Sequence, residues 1–280
     1  MKIAVLSGKG GTGKTLVSVN LASVADSATY VDCDVEEPNG HLFLKPENIS
    51  TTPVNKKMPV SDPDRCTGCG KCADFCKFNA IACIKGKWML FDDVCHSCGG
   101  CSIVCPEKAI SETDKTIGYI KSGTSDSVNI YTGTMNVGEA SGVPIINSLL
   151  QATRKVKTPF TVIDCPPGSA CTVMESIQDA DYCVLVAEPT IFGAHNLSMV
   201  YNLVKVFNKP FGVVLNKCLD EENPSEEFCK DHNIKILTKI PFNKDLGTLN
   251  SNGKIIVNEK EEYRNLFKGL LDTVEKEVAR

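Results

Sequence analysis

Residues 2–15, KIAVLSGKGGTGKT, leave this chain few options. Ile3, Ala4, Val5 and Leu6 make an apolar run of the length of a buried parallel strand. Gly8, Gly13, Lys14 and Thr15 then fit the phosphate-loop pattern G-x-x-x-x-G-K-[ST]. The chemistry needs these residue types. Glycines let backbone N–H groups turn inward around phosphate oxygens. Lys14 supplies a point charge for the β- and γ-phosphates, and the Thr15 hydroxyl can ligate Mg²⁺. A helix predicted over residues 14–25, with Leu16, Val19, Leu21, Ala22 and Ala25 on its apolar face, offers its N-terminus to the same anion. An ordinary glycine-rich turn does not account for strand, loop and helix in this order.

A second lysine, Lys9, opens the loop. The run from Lys9 through Gly10, Gly11, Thr12 and Gly13 to Thr15 resembles the K-G-G-x-G-K-[ST] loop of the MinD/ParA ATPases. The resemblance implies an ATP/ADP site, and a homodimer in which Lys9 reaches the partner's nucleotide. It also gives roles to later residues. Residues 28–34 (ATYVDCD) read as a strand whose end delivers Asp32 and Asp34 beside the phosphate loop. Asp34 matches the acid that orients the attacking water. Asp32 has a supporting electrostatic role or caps the following turn. Asn39, in a short segment over residues 36–44, matches a position near Mg²⁺ and the γ-phosphate.

Length and composition bound the remainder. With 280 residues the chain can hold one large α/β domain and a small module. A net charge of −4 gives no reason to expect nucleic-acid binding. No apolar run approaches a membrane span, and residues 3–6 are already a core strand, so neither signal peptide nor membrane association is expected and the location is expected to be cytoplasmic. Fifteen cysteines are far above ordinary usage. In a reducing compartment they point to metal or clusters rather than disulfides.

Their spacing identifies the ligand. Cys66, Cys69, Cys72 and Cys76 follow C-x₂-C-x₂-C-x₃-C, and Cys95, Cys98, Cys101 and Cys105 repeat it, with Pro106 after. Zinc has no use for the third and fourth cysteines of each half. The repeat resembles bacterial two-cluster ferredoxins, apart from Lys77, where ferredoxins usually have proline. The resemblance implies a crossed assignment of two [4Fe–4S] clusters. Cys66, Cys69, Cys72 and Cys105 hold one, and Cys76, Cys95, Cys98 and Cys101 the other. Residues 79–81 and 108–110 (NAI and KAI) are read as matching apolar covers, and residues 85–91 as a strand linking the halves. Cys83 is left over and is expected to pack as a small apolar residue. Pro46, Pro53, Pro59 and Pro63 suggest an irregular linker into this insert.

The α/β pattern resumes afterwards. Strands are predicted over residues 116–121, 127–132, 160–164, 182–187, 211–215 and 234–240, and helices over 193–207 and 259–278, while residues 138–155 begin as a loop and become a helix. Asp164 ends a strand and leads into Cys165-Pro166-Pro167-Gly168. This resembles the MinD/ParA switch D-x-P-x-G, implying that Asp164 holds a Mg²⁺-bound water and that the Gly168 N–H meets the γ-phosphate. Asn216, at a strand end, matches the adenine-contacting position, and Pro241 with Phe242 would flank the base. Cys33, Cys165 and Cys171 lie near these segments and are expected to be buried packing residues. The last helix carries Phe267, Leu270, Leu271, Val274 and Val278 on one stripe and is expected to pack on the sheet rather than anchor in a membrane.

The expected architecture is therefore a mostly parallel sheet flanked by helices, over residues 1–55 and 113–280, interrupted by a small α+β di-cluster domain over 56–112. The expected function is an Mg²⁺-dependent ATPase whose nucleotide state controls electron transfer through two [4Fe–4S] clusters, or their docking to a redox or metallocluster partner. Cluster assembly or carriage, and a positioning ATPase with clusters as sensor, are the alternatives.

Overall fold

The computed structural model describes residues 1–219 and 221–279. Asp220 and Arg280, the last residue of the expected second ATPase segment, lie outside the described residues. Eleven strands are present among the described residues: β1 (Lys2–Leu6), β2 (Ala28–Asp32), β3 (Glu47–Ser61), β4 (Ile81–Ile84), β5 (Lys87–Leu90), β6 (Ile110–Ser125), β7 (Val128–Met135), β8 (Phe160–Asp164), β9 (Tyr182–Ala187), β10 (Phe211–Cys218) and β11 (Ile236–Pro241). Nine of them form one sheet in the order β11-β10-β9-β1-β8-β2-β7-β6-β3. From β11 to β7 every neighbouring pair is parallel, whereas β7–β6 and β6–β3 are antiparallel.

The central strands are short apolar runs buried on both faces, as a doubly covered parallel sheet requires. One face packs on the helices Lys14–Val24 and Glu261–Val278, with Phe267, Leu270, Leu271 and Val274 fully or nearly buried. The C-terminal helix thus packs on the sheet side, although Val278 stays partly exposed. The other face packs on the helices Val143–Thr153 and Ile191–Val206. Among the described residues no helix is long and apolar enough to cross a membrane.

The expected proline-rich linker is instead a strand. β3 is fifteen residues long and pairs with β6 from Glu47↔Thr124 to Ser61↔Ile110. Its prolines are tolerated because β3 is the edge strand, where a missing N–H leaves no ladder partner unsatisfied. Only residues 118–125 of β6 also pair with β7. Beyond that point β3 and β6 continue as a two-stranded ribbon, carried on by the Asp62 N–H bond to the Ala109 carbonyl (2.8 Å). The expected boundaries at 55/56 and 112/113 fall inside these two strands.

At the ribbon's end the two cysteine repeats fold alike. Short helices Lys71–Phe75 and Gly100–Val104 follow glycines with positive φ, Gly70 and Gly99. The pairs Gly68 and Ser97, then Asn79 and Lys108, share positive φ as well, so the sequence repeat is also a conformational repeat. Ala80, Ile81, Ala109 and Ile110 are buried, as their reading as covers requires. Of the strand expected over residues 85–91, Lys87–Leu90 is strand β5, and Lys85 and Gly86 turn it into a hairpin with β4.

Candidate functional site

Parallel strands deliver their C-terminal residues to one edge, and here that edge holds the titratable groups. Asp32 and Asp164 end adjacent strands in register. The Lys14 ammonium donates to Asp164 Oδ1 at 2.7 Å and lies 4.0 Å from Asp34 Oδ2. The Tyr30 hydroxyl donates to Asp164 Oδ2 at 2.8 Å. Burial pulls the Lys14 pKa down, but Asp164, Asp34 and Asp32 outweigh it and leave it above the ordinary lysine value. Burial and the Asp164 charge push Tyr30 well up, so it stays a neutral donor.

Asp32 is fully buried and accepts from the backbone N–H of Gly40 (2.9 Å) and of Asp34 (3.2 Å). It therefore ties down the turn after β2. Burial and Asp164 push its carboxyl up to about 8 against those donors and Lys14. Asp34 is part-exposed at the cavity wall. Burial moves its carboxyl up to about 6, with Lys14 opposing and Asp164 adding to the rise.

The phosphate loop borders a cavity of about 520 Å³. Its lining includes Gly10, Gly11, Gly13, Lys14 and Thr15 of the loop, Asp34 and Asn39 after β2, and Asn216, Pro241 and Phe242. Gly13 has φ +95°, and a side chain there would strike the Asn216 amide. Asn216 is buried and donates from Nδ2 to the Thr12 carbonyl at 2.7 Å, so part of its capacity holds the loop itself. Gly8 and Thr12 back the loop without lining the cavity. The Thr12 hydroxyl is buried and, among the described residues, lacks a partner. A narrow, glycine-walled loop with a buried ammonium, a hydroxyl at Thr15 and a carboxylate at Asp164 fits a magnesium–nucleotide polyphosphate.

Two predicted contacts are engaged elsewhere. The Gly168 N–H donates to the Ser7 carbonyl at 2.9 Å, and Pro167 rather than Gly168 borders the cavity. Lys9 pairs with Glu188 Oε2 at 2.7 Å in its own chain. Lys217 pairs with the same carboxylate at 2.6 Å and donates to the Gly11 carbonyl at 2.8 Å. Burial raises the Glu188 pKa, but the two lysines hold it below the ordinary value. Sequence reasoning missed Glu188, Lys217 and Tyr30. The only signal for Glu188 was its place at a strand end, before Pro189.

The eight repeat cysteines surround two hollows. Cys66, Cys69, Cys72 and Cys105 line the first, together with Cys83, which is half-buried and packs against the module's small apolar core, as expected. Cys76, Cys95, Cys98 and Cys101 line the second, with Phe75, Phe78 and His96. Each hollow thus takes its fourth cysteine from the other repeat. Phe78 and His96 stack across the halves at 3.8 Å. The Ala80 N–H donates to Cys76 Sγ (3.4 Å) and the Ala109 N–H to Cys105 Sγ (3.3 Å), at equivalent positions. Four repeat thiols at each hollow, with backbone N–H groups donating to Cys76 and Cys105 sulfur, fit iron–sulfur clusters.

Of the other cysteines, Cys33 and Cys165 are fully buried as expected, but Cys171 is exposed. It opens the helix Cys171–Ile177, whose buried side is carried by Val173 and Ile177. Cys183, Cys218 and Cys229 also belong to or border the apolar core.

The family model for the CobQ/CobB/MinD/ParA nucleotide binding domain matches residues 3–256. An uncharacterized protein of Methanocaldococcus jannaschii is 31% identical over 277 residues, 95% of this chain and 96% of the relative. The same organism's iron-sulfur cluster carrier protein is 23% identical, over 98% of this chain and 85% of its own. Ferredoxin-1 of Rhodobacter capsulatus is 46% identical over 39 residues, 14% of this chain and 60% of its own. Among solved structures, the septum site-determining protein MinD of Pyrococcus horikoshii, complexed with Mg-ADP, superposes with a TM-score of 0.62 at 20% identity, covering 98% of this chain and 96% of that one. The chain belongs to the CobQ/CobB/MinD/ParA nucleotide-binding family, as a MinD-type P-loop protein carrying a ferredoxin-like domain.

Proposed function

We propose that this protein binds and hydrolyses ATP, and that its nucleotide state controls two [4Fe–4S] clusters held at the end of the β3–β6 ribbon. The observation that carries the reading is a continuous set of contacts from Asp34 to the cluster module. The Val35 carbonyl accepts from the Met135 N–H at 2.8 Å. Asn136 donates from its backbone N–H to the Ile117 carbonyl (2.9 Å) and from its side chain to the Thr116 carbonyl (3.0 Å). Three residues on, Glu139 pairs with Lys56 of β3 (2.7 Å) and Lys115 of β6 (3.1 Å). Lys115 also pairs with Asp92 of the cluster module at 3.0 Å. A γ-phosphate that moves Asp34 therefore moves the base of the ribbon.

Hydrolysis needs few parts. Lys14 exchanges Asp164 for phosphate oxygens and stabilises the charge that develops in the transition state. Thr15 and Asp164 would hold Mg²⁺, which neutralises polyphosphate charge. Asp34, ionised, orients the attacking water. Lys9 leaves Glu188 to reach a second copy's nucleotide in a homodimer. The exposed Ile191 and Phe192, which begin the next helix after Glu188, supply apolar surface for that copy.

Anaerobic purification followed by iron and sulfide analysis tests the cluster half of the reading. About eight irons and eight sulfides per chain are expected. A preparation with neither overturns it. Magnesium-dependent phosphate release, lost in Lys14→Ala, tests the ATPase half.

The likeness to an iron-sulfur cluster carrier protein favours a second reading, delivery of clusters to acceptor proteins. Eight cysteines around two hollows support retention instead, since each cluster would have its full ligand set within one chain. If apo-acceptor proteins gain clusters from this protein faster when ATP is present, delivery takes precedence.

A further inference from the structure

The short helix Gly40–Leu44 separates two cavities. Leu42 and Phe43, with Asn39 before them, line the nucleotide cavity. Pro38, His41 and Lys45 line a second pocket of about 260 Å³. Its floor is one face of β6 and β7. Ile130, Thr132 and Thr134 alternate along β7, and Lys121 and Gly123 of β6 pair with Thr132 and Ile130. A side chain at Gly123 would strike the Glu47 carbonyl, so glycine there lets residues 46 and 47 approach β6 this closely.

The charges around this pocket are one-sided. Lys45, Lys121 and His41 stand exposed at its rim, and no acid lines it. Among the described residues neither lysine has a carboxylate within ion-pair distance. Lys45 ends the helix at φ +46°, where glycine or asparagine is the usual residue, so a lysine is held there at a backbone cost. Two unbalanced ammonium groups above threonine hydroxyls and Ile130 suit a ligand with one strongly anionic end and an apolar body. A phosphate monoester carries about 1.5 to 2 negative charges at neutral pH, which balances two lysines. Its oxygens accept from ammonium and hydroxyl groups, and its body lies against Ile130, Ile49 and Pro46. The pocket is smaller than the usual drug-sized site of about 300–1,000 Å³, so that body is small.

We propose that this pocket is a second ligand site, for a small organic phosphate monoester, coupled to the nucleotide cavity through the helix Gly40–Leu44 as their common wall. An occupant braces the helix in the position from which Leu42 and Phe43 line the nucleotide cavity, so nucleotide binds more tightly when the second pocket is filled. Linkage makes the effect reciprocal. No bond forms or breaks. The coupling, but not the pocket, rests on the nucleotide reading of the first cavity.

The test uses phenyl phosphate as probe on the full-length, anaerobically prepared protein, saturated with Mg-ADP so that the phosphate loop is occupied. Isothermal titration should show saturable binding. Lys121→Met and Lys45→Asn, both at exposed positions, should each weaken it at least about tenfold. Inorganic phosphate, which lacks the ring, should bind at least about tenfold more weakly. Benzyl alcohol, which lacks the charge, should not compete. In the converse titration phenyl phosphate should tighten Mg-ADP binding about fivefold or more, and should fail to do so in Lys121→Met. Absence of saturable binding, equal binding in both lysine variants, equal binding of inorganic phosphate, or competition by benzyl alcohol overturns the site. Mg-ADP affinity that stays constant or falls overturns the coupling. A wild type that does not bind Mg-ADP overturns the nucleotide reading itself, a separate failure.

Discussion

Replacing Glu139 by glutamine should loosen the joint between the nucleotide side of the sheet and the cluster ribbon. The Glu139 carboxylate is 8% exposed and the Lys56 side chain 14%, so their pair is largely shielded from water. Lys115 is 35% exposed and contributes at the surface level, below about 1 kcal/mol. Losing one partner of a fully buried pair costs about 3–5 kcal/mol. Glutamine keeps the shape and one acceptor, so a loss of about 2 kcal/mol is expected at this joint. At about 1.4 kcal/mol per factor of ten, local opening should rise roughly 30-fold. Hydrogen exchange reads this directly: amides over residues 55–57 and 114–116 should lose about that much protection, while the β1 and β8 amides keep theirs. The double variant Glu139→Gln with Lys56→Met should recover most of the loss, because no buried charge is then left alone. Protection unchanged within about threefold, or losses that simply add in the double variant, would refute the reasoning.

Four further outcomes follow from the same geometry. Lys9→Ala should bind nucleotide in the single chain yet lose most of its hydrolysis rate, and turnover at full speed would defeat the role in trans. Gly13→Ala puts a side chain into the Asn216 amide at φ +95°, a strain of at least about 1 kcal/mol; Mg-ATP should no longer raise its melting temperature. Cys76→Ala should remove iron from the hollow lined by Cys95, Cys98 and Cys101 and leave the cluster at Cys66, Cys69 and Cys72 intact; the reverse pattern contradicts the crossed assignment. The fourth outcome concerns pH. Burial raises the Asp34 carboxyl to about 6 in the fold, above its unfolded value of about 4. The folded chain then binds more protons than the unfolded one between those values. Its contribution to stability is present below about pH 4 and is lost as pH rises through about 6, by about 1–2 kcal/mol once its part exposure to solvent is allowed for. Denaturant titrations at pH 5 and pH 7 should show the wild type losing about 1 kcal/mol more over that interval than Asp34→Asn, in which Asp32, raised to about 8, keeps a slope of its own.

Much of this fold was readable because the buried parallel strands are short apolar runs with acids at their ends. β8 and β9 fall where the pattern puts them, and Asp164 ends β8 beside the loop. The cysteine repeat was equally plain, since spacing alone groups its members and the crossed hollows follow the ferredoxin pattern. β3 was hidden because four prolines read as a linker, and only its position at the sheet's edge makes Pro53 and Pro59 acceptable in a strand. The Lys9–Glu188–Lys217 network was not readable, because β9, β10 and the phosphate loop bring together residues with no local signal. Cys83 packs against the module's apolar core as expected, but that the hairpin of β4 and β5 also places it on the wall of a hollow was not readable, because nothing local marks it.

The proposed triphosphate site and pair of clusters matter together only if one responds to the other. The direct test is to titrate the clusters potentiometrically in one anaerobic preparation without nucleotide, with Mg-ADP, and with a non-hydrolysable ATP analogue and Mg²⁺. Movement of Asp34 and Val35, passed through Glu139 to the ribbon, predicts that at least one midpoint or EPR signal differs between the ADP and ATP-analogue states. Identical titrations in all three states, with nucleotide shown to be bound, would contradict the coupling while leaving both sites in place.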